Sequence, residues 1–116
     1  MSKNLEELKG ELRGFVAERD WEKFHSPKNL TMALAGEAGE LLEQFQWLTE
    51  EESYHLSGDK KVSVGEEIAD ILIYLVRLAD KLEIDLLSEA YWKIEKNAAK
   101  YPVEKVWGKA TKYTDL

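Results

Sequence analysis

The 116-residue chain predicts an all-α protein: a small four-helix-bundle-like fold that assembles with copies of itself. Three observations predict it. Apolar residues recur at spacings of three and four, and no segment alternates with the period of two that a half-buried strand requires. Proline occurs only at Pro27 and Pro102, both at helix edges. Residues that cap helices (Asn4, Ser26, Ser63 and Asp85) stand ahead of the apolar runs.

The first helix is predicted from Leu5 to Arg19, capped by Asn4 with Glu7 at its third position, and striped by Leu5, Leu8, Leu12, Phe15 and Val16. ERDWEKFHSPKN then reads as a loop bearing two aromatics and His25, which is placed either to touch a ligand or to cap the next helix. Ser26 and Pro27 open a second helix to about Leu48, and Thr49 caps a short acidic turn, EEESYH. SGDKK reads as loop, and the capping box Ser63–Val64–Gly65–Glu66 starts a third helix reaching about Leu82. Its middle, IADILIYLVRLA, is apolar on nearly every face, as in a helix that is central or covered by a partner copy. Asp85 caps a fourth helix from Leu86 to about Lys100, which Pro102 ends. The tail VEKVWGKATKYTDL has no strong period and is free to wrap onto a neighbour. Residues 1–116 are expected to form one domain, and the apolar helix together with 10% aromatic residues points to an oligomer.

Cysteine is absent, so neither disulfides nor thiol chemistry enter. No run of 18 apolar residues spans a membrane, and MSKNLEELKGEL lacks the apolar region of a signal peptide, so a cytoplasmic location is expected. The net charge of -7 is uneven. Residues 1–92 hold 10 Lys/Arg against 20 Asp/Glu, whereas residues 93–116 hold 6 Lys against 3 acids. An acidic body argues against gripping nucleic acid, which needs cations to displace counterions. A small phosphate ligand remains compatible, provided that a metal bridges acid to phosphate and the basic end meets the remaining charge.

The informative stretch is GEAGELLEQFQW, residues 36–47. The core series of the second helix runs Leu30, Leu34, position 37, Leu41, Gln44 or Phe45, and Leu48. Position 37 is Glu, with Glu40 one turn along on the flank of the same face. The third helix repeats the spacing with Glu67 and Asp70, and Tyr74 follows on that face. Carboxylates embedded in apolar residues protonate, pair with a cation or bind metal. No Lys or Arg stands three or four residues from Glu37, Glu40 or Glu67, and Arg77 reaches toward Asp70 only weakly. The residues alone leave two readings open. One is an oxygen-rich site for Mg²⁺ with room for phosphates; the other is solvated acids on a non-catalytic interaction module. A di-iron site wants Glu-x-x-His on two helices, and neither pair contains His.

These motifs together resemble the MazG-like all-α nucleoside triphosphate pyrophosphohydrolases. ERDWEKFHSPKNL, GEAGELLEQFQW, EEIADILIYL and the ending KYTDL look like the dCTP pyrophosphatase branch, over nearly the whole chain. The resemblance implies a helical homo-dimer or homo-tetramer that uses Mg²⁺. It also implies conversion of a small-molecule nucleoside triphosphate, such as dCTP or a related or modified pyrimidine nucleotide, to the monophosphate and pyrophosphate. The family's metal ligands fall on Glu37, Glu40, Glu67 and Asp70, and its base-sandwiching aromatics on Trp21, Trp47 and Tyr74. Phosphate and sugar contacts fall on Lys93, Asn97 and Lys100, with Lys28 and Tyr101 as further contacts. Vertebrate members carry a histidine by the base pocket where this chain has Leu12.

The residues agree with that carry-over. There is no cysteine, and no serine stands with a histidine and an acid in a recognisable arrangement, which leaves water as the nucleophile. A carboxylate not fully committed to metal would take its proton, Glu40 first and Glu37 second. Trp47 reads equally as core filling or as a stacking surface, whereas Trp21 sits in a polar loop where core filling is less natural. Trp92 and Trp107 are assigned to packing or an interface.

Overall fold

In the structure, a computed structural model that describes residues 4–116, α1 spans Leu5–Glu18. The Asn4 side chain accepts from the Glu7 amide at 2.9 Å, and Glu6 and Glu7 add negative charge where the helix exposes its amides. Val16 is buried, while Leu5, Leu8 and Leu12 are half-buried. The expected stripe is present except at Phe15, which is 45% exposed and lies beneath the Arg19 guanidinium, 3.7 Å from the ring centroid. Asp20 adopts a left-handed φ of 55° and turns the chain out of the helix. Glu22–Phe24, expected to be loop, closes into a 3-10 turn.

α2 spans Pro27–Phe45. Ser26 caps it by accepting from the Asn29 amide at 3.1 Å, and Pro27 occupies the first turn. The helix ends earlier than the expected Leu48, because the Leu48 amide turns back to the Phe45 carbonyl. Leu30 is 1% exposed, and Leu34, Glu37, Leu41, Gln44, Phe45 and Leu48 are all half-buried, so Glu37 does occupy a core-facing place. α3, Glu50–Ser53, is a single turn with a complete capping box between Thr49 and Glu52.

α4 corrects the sequence reading. It spans Gly58–Lys81, with Ser57 as cap to the Lys60 amide at 3.3 Å, instead of starting at the Ser63–Glu66 box. Once the helix is nucleated upstream, the amides after Ser63 find carbonyl partners four residues back and need no cap. SGDKK is thus the cap and first turn, with Asp59 near the N-terminus. The apolar middle is not uniformly covered: Val64, Val76 and Ala79 are buried, but Ile68 is 53% and Leu72 40% exposed.

The chain forms two compact units, Met1–Glu83 and Ile84–Leu116. In the first, α2 lies along α4 as the main helix pair and α1 also packs on α4. Val16, Leu30, Val64, Val76 and Ala79 form the buried apolar core. In the second, α5 spans Leu86–Lys100, capped by Asp85 to the Ser88 amide at 3.0 Å. The tail is more ordered than its pattern suggests. It forms α6 (Val103–Val106) and a 3-10 turn at Tyr113–Asp115. Tyr113 stands edge-on to Tyr101, with centroids 6.0 Å apart, and the Lys100 ammonium lies 4.8 Å from the Tyr113 centroid. No strand occurs among the described residues.

Candidate metal centre

A spacing of three places Glu37 and Glu40 on one side of α2, and Glu67 and Asp70 on one side of α4. Because α2 and α4 pack together, the two acid pairs meet. One carboxylate oxygen each from Glu37, Glu67 and Asp70 lie within 4.8 Å of one another. Glu40 is exposed and stands outside that triplet, yet close enough to act on Glu67.

The electrostatics of this cluster are unfavourable for the protein alone. The Glu37 carboxylate beside it, partial burial, and then Glu40 push Glu67 up to about 7. Oε2 of Glu37 and Oε2 of Glu67 are buried without a hydrogen-bond partner. None of the ion pairs among the described residues involves Glu37, Glu40, Glu67 or Asp70. Buried carboxylate oxygens without donors are costly, and like charges a few ångströms apart raise that cost. An all-oxygen, acid-rich set with orphaned oxygens fits a hard divalent cation, and Glu37, Glu67 and Asp70 are the residues that would hold it.

The remaining candidates fall in two places. Tyr74, half-buried, lies on α4 one turn beyond Asp70. Trp21 is 42% exposed at the mouth of the 3-10 turn, its ring edge-on to Phe15 at 5.9 Å. Trp47 follows the end of α2 and is 86% exposed, which removes the core-filling alternative within the chain. Lys93, Asn97 and Lys100 lie on α5 at spacings of four and three, so they share one exposed face of the second unit. Lys28 is exposed in the first turn of α2, and Tyr101 ends α5. Trp92 and Trp107, at 55% and 82% exposed, pack little within the chain.

One group escaped the sequence reading. Arg77 is 2% exposed and turns away from Asp70. Its Nη2 donates to Glu22 Oε1 at 2.8 Å, its Nε to His25 Nδ1 at 3.3 Å, and its Nη1 to Asp80 Oδ2 at 3.4 Å. Arg13 in turn grips Asp80 with two bonds, at 2.7 and 2.5 Å, and Lys81 pairs with Glu22. The Arg13 guanidinium holds the Asp80 carboxyl below the usual range, and Lys81, then Arg77, do the same for Glu22. Burial, then Arg77, lowers His25, so the ring stays neutral and accepts from Arg77, while Ser26 does the capping. The available signal was the lone cation inside an apolar helix, which requires partners when buried.

The fold and this cluster define an all-helical protein whose acids converge from two packed helices. Residues 33–116 match the family model described as MazG-like, and the chain belongs to the MazG-like family. It is 46% identical over 114 residues to dCTP pyrophosphatase 1 of Bos taurus, covering 97% of this chain and 68% of that one. The human dCTP pyrophosphatase 1 is 42% identical, with 97% and 67% covered. Among solved structures, a pyrophosphatase from Archaeoglobus fulgidus DSM 4304 superimposes with a TM-score of 0.81 at 44% identity, covering 88% of this chain and 95% of that one.

Proposed function

We propose that this chain is a Mg²⁺-dependent nucleoside triphosphate pyrophosphohydrolase, acting on dCTP or a related or modified pyrimidine nucleotide as a single MazG-like domain. The observation that carries the proposal is the convergence of Glu37, Glu67 and Asp70, two of them with buried oxygens that nothing in the protein satisfies. The names of the relatives, dCTP pyrophosphatase 1 in mammals and a pyrophosphatase in an archaeon, support the same reaction class.

A divalent cation supplies neutralisation of phosphate oxygens and acidification of nearby water. Glu37, Glu67 and Asp70 would hold it, with Glu40 completing the acid set. Glu40, the carboxylate outside the tight triplet, takes a proton from the attacking water, with Glu37 as the second choice. Water adds at the α-phosphorus, and the bond to the oxygen bridging α and β breaks. The products are the monophosphate and pyrophosphate. Trp21, Trp47 and Tyr74 offer flat surfaces to the base, each stacking contact worth about 1–3 kcal/mol. Lys93, Asn97 and Lys100 meet phosphate and sugar.

The working form is a homo-dimer or homo-tetramer in the cytoplasm, with no nucleic acid or membrane partner. In support of the oligomer, Leu87, Tyr91, Trp92 and Ile94 of α5 are all more than half exposed. No helix among the described residues is long and apolar enough to cross a membrane. The test is a panel of nucleoside triphosphates with Mg²⁺, scored for pyrophosphate against orthophosphate. Pyrophosphate release, fastest with a cytosine nucleotide, is the expected result. Orthophosphate alone, or no turnover, would overturn the reading.

A further inference from the structure

Residues Glu67, Asp70, Tyr74, Arg77 and Lys81 follow one another along α4 at spacings of three, four, three and four, so they form a single stripe. One end of the stripe carries the acids. The other end grips the segment that bears Trp21. From Asp70 to Arg77 the helix rises about 10 Å, so the acids and the arginine stand about two turns apart on one rigid element.

The grip is made by side chains. Trp21 is tied to α1 through its amide to the Val16 carbonyl at 3.0 Å and its ring against Phe15. The Phe24 amide returns to the Trp21 carbonyl at 2.9 Å, and the His25 amide to the Glu22 carbonyl at 3.1 Å, so the 3-10 turn holds its own shape. Its polar ties to α4 are Arg77 to Glu22 and His25, and Lys81 to Glu22. A planar guanidinium with three separate acceptors fixes both direction and distance. Arg77 is also the only buried charged residue among the described residues, an expensive placement for a helix that needed merely to pack.

We infer that Arg77, acting through Glu22, is a positioning residue that sets the Trp21 wall at a fixed distance from the metal acids, and thereby governs base recognition but not the chemical step. The inference rests on the proposed nucleotide reading and deepens it by naming what holds the base side of that site. Neither residue touches the reacting atoms in this scheme. Releasing Glu22 lets the turn drift, which weakens the contact to the base while the acids keep their places.

The test uses Glu22→Ala, because Glu22 is on the surface turn and Arg77 keeps His25 and Asp80 as partners when it is lost. KM for dCTP is expected to rise about tenfold with kcat within twofold of the wild type. Inorganic triphosphate, which carries no base, should inhibit both proteins with the same Ki. In a Trp21→Ala background the further change Glu22→Ala should have no added effect on KM, since the wall it positions is already gone. Arg77→Lys, which keeps the charge but not the fork, should shift KM in the same direction. An unchanged KM in Glu22→Ala, a Ki for triphosphate that shifts alongside it, or full additivity with Trp21→Ala would overturn the inference while leaving the nucleotide reading intact. A wild-type chain inert toward every nucleoside triphosphate would overturn both.

Discussion

At the scale of single residues, the acid cluster stores unfavourable charge that a ligand can relieve. Glu67 sits at about 7, well above an unperturbed glutamate near 4.3. Between those values the folded protein holds a proton that the unfolded chain has released. Stability of the metal-free form therefore rises as pH falls from 8 toward 5, and Glu67→Gln should remove that slope and raise Tm at pH 8. Thermal scans across that range, without metal, check both. Glu22 and Asp80 work in the opposite sense. Their depressed values contribute stability above about pH 4 that is lost as pH falls further, so acid unfolding should begin there. Glu40→Gln should lower kcat by about 10²–10⁴-fold while far-UV circular dichroism is unchanged. The acids are legible in the sequence because each pair interrupts an apolar series on its own helix. Arg77 is not, since its partners Glu22 and His25 lie 55 and 52 residues away.

Among the helices, capping decides what sequence can say. Asn4, Ser26, Thr49 and Asp85 each cap the helix they precede, and each accepts from the amide three residues on. Ser57 and Ser63 both precede α4-like pattern, and local signals favour Ser63 because Glu66 completes a box. The structure uses Ser57, gaining almost two turns of helix. Ser57→Ala should therefore cost about 0.5–2 kcal/mol in denaturant unfolding, whereas Ser63→Ala, inside the helix, should be near neutral or slightly stabilising. The tail shows the converse. VEKVWGKATKYTDL lacks a period, yet Tyr101, Lys100 and Tyr113 gather at the end of α5 through ring contacts that periodicity does not report.

For the whole molecule, burial is sparse. Among the described residues five apolar ones form the buried core, while Trp47, Trp107, Tyr91 and Val103 are each more than two-thirds exposed. A 13.4 kDa chain with that much uncovered aromatic surface should sediment as more than one copy. Ile94→Glu, on a helix with no buried residue, should shift the mass measured by sedimentation equilibrium toward 13.4 kDa. Helical class and the acid-bearing faces follow from local pattern, so one chain's sequence reveals them. What would cover the exposed apolar residues of α5 is not encoded by any local pattern.

The unbroken run of α4 from Glu67 to Arg77 has a consequence for which length changes the family can tolerate. Gaining or losing one residue between Asp70 and Arg77 would rotate everything downstream by about 100° and slide it about 1.5 Å, pointing the arginine away from its acceptors. Natural insertions and deletions should therefore avoid that span and gather between Leu48 and Ser57, where the single turn of α3 is flanked by irregular chain. A sequence that breaks this rule would need a compensating bulge in the helix, visible as a π-turn, to bring the two ends back into phase.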